Sequence, residues 1–296
     1  MYTPETQQIL RKNIDLLSEI SPLEEKMLPP GEGAFPSEKE LQEFLELVKS
    51  VIFPAFYGGH LALTRPEFIA IRIDKIHTLL CAEIAKACRI ERPFECCYTQ
   101  DYFSKLTLEF VDGLPEIKRL LYADVQAISD HDPSVSEYSE IILAYPSVEA
   151  LVAYRVAHKL LELNVPLLPR MISEMAHSST GIDINPEARI GEGLAIDHGT
   201  GIVVGQTAIL GNHVTLYHGV TLGARTFEYD DNGHPLSTPR HPIIEDNVTI
   251  FANASILGRI TVGHDSIIGA NVRLTRSVAP YSTITIHSPE TIQTNI

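Results

Sequence analysis

From Gly181 onward an aliphatic residue returns at nearly every sixth position, and this period constrains the fold of the 296-residue chain more than any other feature. The leading residues are Ile184, Ile190 and Ile196, then Val204, Leu210, Leu216 and Leu222, then Ile244, Ile250, Ile256, Val262, Ile268 and Leu274. Four positions after each stands a small or aliphatic partner, among them Ala188, Leu194, Thr200, Ala208, Val220, Ala254 and Val272. A period of six matches neither the 3.6 of a helix nor the 2 of a strand with one buried face. It fits a parallel β-helix, in which each hexad makes a short strand and a corner, and three hexads close a triangular coil of about 18 residues. The pattern therefore predicts a prism over residues 181–287, with the leading aliphatics stacked inside.

Two places break the count. Between Ile196 and Val204 the phase slips by two, and the pattern reads Ile202 and Val203 as the extra residues, with Thr200 turned inward and Asp197 and His198 outward. Between Gly223 and Pro242 the aliphatics vanish and turn formers such as Asp231-Asn232-Gly233 take over, so residues 223–242 are expected to project as a loop.

Residues 1–180 follow helical spacing instead. Ser37 to Glu40 has the form of a capping box, followed by Leu41, Phe44, Leu45 and Val48 on one face. Ser147 is expected to open a second helix that runs through Val148, Leu151, Val152, Val156 and Leu160 until Asn164 and Pro166 stop it. Segments near 66–90 and 114–128 read the same way. The expected fold class is α+β: an all-helical N-terminal domain (1–180), a β-helix (181–287) and a short tail (288–296).

Composition narrows the partners. A net charge of −15 argues against nucleic acid. Residues 181–296 contain no lysine and six arginines, so an anion held there must use arginines or backbone N–H groups. No signal peptide or membrane-spanning run is evident, so the expectation is a cytoplasmic protein without a membrane partner. The cysteines Cys81, Cys88, Cys96 and Cys97 lack the paired spacing of a zinc site and read as thiols in a reducing compartment.

His198 is the candidate for chemistry. Asp183 stands fifteen residues before it, and with about 18 residues per coil that places the carboxylate one coil below and three residues out of line. An aspartate so placed fixes the imidazole tautomer and makes the other nitrogen a general base.

The stretch from Asp183-Ile184 through Ile190-Gly191, Asp197-His198-Gly199-Thr200-Gly201-Ile202-Val203-Val204-Gly205 and Val220-Thr221-Leu222-Gly223 to Arg240-His241-Pro242 resembles the serine O-acetyltransferases, as do Asp132-Pro133 and Ala153-Tyr154-Arg155 with His158 upstream. The similarity covers roughly residues 120–280. It implies the left-handed form of the β-helix, acetyl-CoA as co-substrate, L-serine as acceptor and no metal. His198 would be the base and Asp183 its support. Asp132 and Asp197 would receive the serine ammonium group, and Arg240 and His241 its carboxylate. Ala224, Ala252 and Ala270 would line the groove for the CoA arm; Ala252 and Ala270 are eighteen residues apart and so stack on one face. The resemblance further implies a trimer or a dimer of trimers, and contact with O-acetylserine sulfhydrylase through a terminal isoleucine, here Ile296. Ala224 stands where the family commonly has Gly, and the family's Gly-Lys-rich loop gives way to the segment ending at Pro242, leaving Arg259, Arg273 or Arg276 for the CoA phosphates. Two other readings remain open: transfer to a different hydroxyl acceptor, and a metal enzyme of the gamma carbonic anhydrase kind built on His213 and His218.

Overall fold

The structure, a computed structural model, describes residues 2–29, 33–58, 65–91 and 99–286. Cys96, Cys97 and Ile296 lie outside them. Helices α1 (Pro4–Ser18), α2 (Pro22–Glu25), α3 (Glu38–Ile52), α4 (Pro54–Gly58), α5 (Pro66–Glu91), α6 (Gln100–His131), α7 (Tyr138–Ala144), α8 (Pro146–Glu162) and α9 (Leu168–Thr180) precede fourteen short strands. Among the described residues no helix is long and apolar enough to cross a membrane.

The helical core forms where the spacing predicts it. Leu41, Phe44, Leu45 and Val48 of α3 are buried, and the Phe44 ring meets Phe110 of α6 at 5.5 Å between centroids. Ser37 caps α3 by accepting the Glu40 N–H, but its own N–H goes to the buried Glu83 carboxylate on α5, so the capping box closes only on one side. Helix α8 starts at Pro146, one residue ahead of Ser147, because proline is preset for the first helical position. It is buried nearly all round, as a helix with apolar residues on most faces must be.

The strands stack in three parallel sheets that form the faces of a left-handed prism. The first face orders β1 (Asp183–Ile184), β4 (Val203–Val204), β7 (Thr221–Gly223), β10 (Ser255–Leu257) and β13 (Arg273–Leu274). The second orders β2 (Arg189–Ile190), β5 (Ile209–Leu210), β8 (Ile243–Ile244) and β11 (Thr261–Val262). The third orders β3 (Ala195–Asp197), β6 (Thr215–Tyr217), β9 (Thr249–Ile250), β12 (Ile267–Ile268) and β14 (Thr283–Ile284). The leading aliphatics point inward, and all but the half-buried Ile190 are buried. The segment after β7 leaves the prism and turns back on itself, with Tyr229 bridging Pro235 antiparallel, before β8 resumes the coil.

The first coil is longer than its neighbours: Asp183 pairs with Val203, 20 residues on, whereas Val203 pairs with Thr221, 18 residues on. The surplus is not Ile202-Val203, as the hexad pattern suggests. Ile202 is buried in the wall and Val203 lies in register between Asp183 and Thr221. Asp197 pairs with Tyr217, and the Thr200 carbonyl accepts the Gly219 N–H just as the His218 carbonyl accepts that of Asn253. Thr200 is thus the counterpart of His218, exposed rather than inward, and the two inserted residues are His198 and Gly199.

Beneath the first coil there is no further coil to take its downward backbone groups, and an open sheet edge buried without partners is costly. The helical domain supplies them. Ser173 donates to the Ile184 carbonyl, Tyr154 to that of Ala188, and Arg155 to those of Ile190 and Gly191. The His158 ring nitrogen Nδ1 lies 2.7 Å from the Pro186 carbonyl. Asp124 does the reverse, accepting the Leu194 N–H at 2.9 Å while binding Arg155 through both carboxylate oxygens. Burial pushes the Asp124 carboxyl up, opposed by the Arg155 guanidinium and by the Leu194 and Gly193 N–H groups. Asp124→Ala leaves the Arg155 charge buried and unpaired, and is expected to cost about 3–5 kcal/mol in urea-unfolding experiments.

Candidate active site

The insertion makes a corner unlike the others. His198 adopts φ 58° and Gly199 φ 85°, and the Gly199 N–H turns back to the Asp197 carbonyl at 2.7 Å. A β-carbon on Gly199 would stand 2.4 Å from the Ile182 side chain, so only glycine fits. The bulge lifts the imidazole off the wall, leaving the His198 side chain 73 % exposed.

Around it gather groups from two directions. His198 Nδ1 lies 3.7 Å from Asp197 Oδ1, and its ring centroid lies 5.7 Å from that of His218, one coil above. From the helical domain comes Asp132, the residue that closes α6. Its Oδ1 accepts the Ser134 N–H and hydroxyl, and its Oδ2 accepts the Tyr145 hydroxyl at 2.8 Å. The bonds from Ser134 and Tyr145, and to a lesser degree the nearby His198, hold the Asp132 carboxyl below its usual range. Tyr217, flat against Phe251 at 4.9 Å, completes the wall; burial raises its phenol, with Asp197 and Asp132 adding to the effect.

Asp132, Asp197 and His198 thus meet at one corner. Asp183 does not join them in the same way: the 20-residue coil sets it against Val203, five residues past His198, and the two side chains form no hydrogen bond or ion pair. The carboxylate nearest His198 is that of Asp197. Ser134 has a legible signal, since Asp-Pro-Ser favours a turn closed by the aspartate side chain. Tyr145, Tyr217 and His218 carry no such signal.

Ala252 and Ala270 lie on the same corner. The Ala252 carbonyl accepts the Asn271 N–H, which extends the column Thr200, His218, Ala252 upward in steps of about 4.8 Å. Ala224 follows β7 and sits at the opposite edge of the first face, level with Gly258. His213 and His218 flank β6 at opposite ends and point from different corners, so they do not converge on one ion.

Arg240 and His241 also occupy that opposite edge. The backbone N–H groups of both converge on Thr207 Oγ1, at 2.9 and 3.1 Å, and the His241 ring covers Gly205, where a β-carbon would stand 2.0 Å from it. His241 Nδ1 accepts from Thr207, which leaves its proton on Nε2. Burial, then Arg240 and Arg259, lower the His241 pKa to about 4, so the ring is a neutral donor. Arg240 reaches Gln206 at 2.7 Å, while its Nε is buried without a partner among the described residues. Arg259 is engaged with the Thr207 and His241 carbonyls.

Comparison with known proteins relates the chain to serine acetyltransferases. Residues 241–276 match the bacterial transferase hexapeptide family (six repeats). A plasmid-encoded serine acetyltransferase of Synechococcus elongatus is 42% identical over 276 residues, 90% of this chain and 86% of that protein. The chain belongs to the serine acetyltransferase family. The serine acetyltransferase of Bacillus subtilis is 40% identical over 166 residues, 56% of this chain and 73% of its own. Among solved structures, serine acetyltransferase isoform 3 of Entamoeba histolytica in complex with cysteine superposes with a TM-score of 0.71 at 30% identity, covering 90% of this chain and 87% of that one. Soybean serine acetyltransferase complexed with serine gives 0.55 at 28% identity, covering 84% and 96%.

The low His241 pKa has a sign that can be checked. Below pH 6.5 the unfolded chain binds the proton first, so stability is expected to fall as pH drops from 6.5 toward about 4. In His241→Asn, whose amide oxygen replaces the Nδ1 acceptor, that portion of the pH dependence should vanish from urea midpoints.

Proposed function

We propose that the chain transfers the acetyl group of acetyl-CoA to the hydroxyl of L-serine, giving O-acetyl-L-serine and CoA for cysteine synthesis. The observation that carries this reading is the corner where Asp132, Asp197 and the inserted His198 meet, in a chain 42% identical to a serine acetyltransferase. His198 takes the proton from the serine hydroxyl as its oxygen attacks the thioester carbon. The C–S bond then breaks, and the CoA sulfur recovers the proton from the imidazolium. Asp132, held ionised by Ser134 and Tyr145, and Asp197 receive the serine ammonium group. Asp183 is assigned to support the imidazole, which requires its carboxylate or the exposed His198 ring to turn when substrate is bound.

Arg240 and His241 are assigned to the serine carboxylate, for which the unpaired Arg240 Nε and the neutral His241 Nε2–H offer donors. They stand across the first face from His198. From Ile202 to Gly205 the extended backbone spans on the order of 10 Å and Thr207 lies further on, past the turn, too far for one serine to bridge. The carboxylate donors of one chain therefore serve the base of a neighbour, in a trimer whose sites lie between prisms; pairing of trimers through the helical domains is the larger form of the same assembly. Ala252 and Ala270 line the CoA arm above each base, with Ala224 of the neighbour facing them. Arg273 and Arg276 are the candidates for the CoA phosphates, since Arg259 is engaged. Ile296 is assigned to O-acetylserine sulfhydrylase. A cytoplasmic setting suits these substrates.

Thiol release from acetyl-CoA should require L-serine and proceed far more slowly with L-threonine or L-homoserine; equal rates with either would redirect the acceptor assignment. His198→Ala should keep the fold and lose at least ~10²-fold in kcat. Mixing His198→Ala chains with Arg240→Ala chains should restore part of the activity that each lacks alone, because mixed trimers contain some sites with both residues intact.

A further inference from the structure

His218 occupies the place between the base and the groove, and among the described residues its ring nitrogens make no hydrogen bond or ion pair. Its ring centroid is 5.7 Å from that of His198. Its backbone carbonyl sits in the column that joins Thr200 below to Ala252 above, so any pantetheine arm that descends past Ala252 to reach His198 crosses His218. Neither ring nitrogen has a hydrogen-bond partner among the described residues, and Nδ1 is buried. A buried polar atom left without a partner is uncommon enough to require a reason.

The tautomer follows from that burial. Nδ1 has no acceptor within reach, so a proton there would be wasted, and the neutral ring carries it on Nε2, the distal nitrogen. Many backbone donors of this corner are already committed: the N–H groups of Gly199, Gly201, Ile202, Gly219, Asn253 and Asn271 all go to backbone carbonyls. What the corner otherwise offers near the thioester is acidic or basic, in Asp132, Asp197 and His198, or the phenol of Tyr217, whose ring lies flat against Phe251. An attack on a thioester concentrates negative charge on the carbonyl oxygen, and a fixed donor aimed at that oxygen lowers the barrier.

We propose that His218 is a further catalytic residue, which donates the Nε2–H hydrogen bond to the oxyanion formed when the acceptor hydroxyl adds to the acetyl thioester. The proposal rests on the acetyltransferase reading above. As the serine oxygen bonds to the acetyl carbon, its proton passes to His198 and the carbonyl π electrons move to the oxygen facing His218. Collapse returns them, the C–S bond breaks, and His198 protonates the departing sulfur. His218 neither gains nor loses a proton in the cycle.

The test is steady-state kinetics of the full-length protein with L-serine and acetyl-CoA. His218→Ala should lower kcat by ~10²–10³-fold, the usual effect of removing one oxyanion donor, with both KM values within about threefold of wild type. His218→Gln, whose side-chain amide can donate from a similar place, should recover to within about tenfold of wild type. The acid limb of the kcat–pH profile, set by His198, should stay where it is in both variants. Retention of the native thermal transition and of acetyl-CoA affinity in His218→Gln keeps the comparison sound if His218→Ala folds poorly. An undiminished kcat in His218→Ala, a loss confined to KM, a shifted acid limb, or failure of Gln to rescue would each overturn the assignment. Wild-type protein that releases no thiol with serine would instead overturn the acetyltransferase reading itself.

Discussion

The prism depends on how its lowest coil is finished. A stack of parallel coils satisfies its own backbone everywhere except at the ends, and at the lower end Asp124 and Arg155 close the account. Arg155 donates hydrogen bonds to two carbonyls, Asp124 accepts one from the Leu194 N–H, and each is the other's counter-charge. The pair is thus a local substitute for a missing strand. Tyr154, His158 and Ser173 continue the same seam along α8 and α9. Since the first coil carries the inserted His198, and Asp132 projects from the helical side, the seam also sets the distance between His198 and Asp132.

Much of this is legible in the sequence, for a physical reason. A repeat that buries one aliphatic per six residues has one economical solution, so the hexads place the wall, the corners and the projecting segment directly. The helical domain is legible where a helix buries a single stripe, as α3 does. It is least legible where the helix has no buried stripe: no residue of α1 is buried, and its pattern marks only its start, with Thr3 as cap and Pro4 in the first turn. The site is legible as a set of residues but not as a geometry. Counting hexads assigns the surplus to Ile202-Val203, because those two are aliphatic and sit at the slip. Inward packing decides otherwise, since the wall requires Ile202 and can spare His198 and Gly199. The same miscount puts Asp183 three residues out of line instead of five.

Charge distribution shows a comparable economy. The chain is strongly acidic, and its β-helix has no lysine, yet the site must hold both ends of a zwitterion. Acidic groups gather at one edge of the first face and Arg240 with a neutral imidazole at the other. Keeping them apart within a chain avoids their mutual neutralisation, and among the described residues Arg240 Nε stays unpaired.

Thr207 gives the projecting hairpin an unusual freedom. One hydroxyl oxygen gathers the N–H groups of both Arg240 and His241, and the His241 ring closes back on the same residue, so the return of the chain to the prism is fixed whatever path it took to get there. At the far tip, a β-carbon on Gly233 would meet nothing within 4 Å. Exposed tips of this kind tolerate inserted sequence. The hairpin is therefore a port, where an affinity handle or a fluorescent reporter can be carried without displacing Arg240 and His241 at its base.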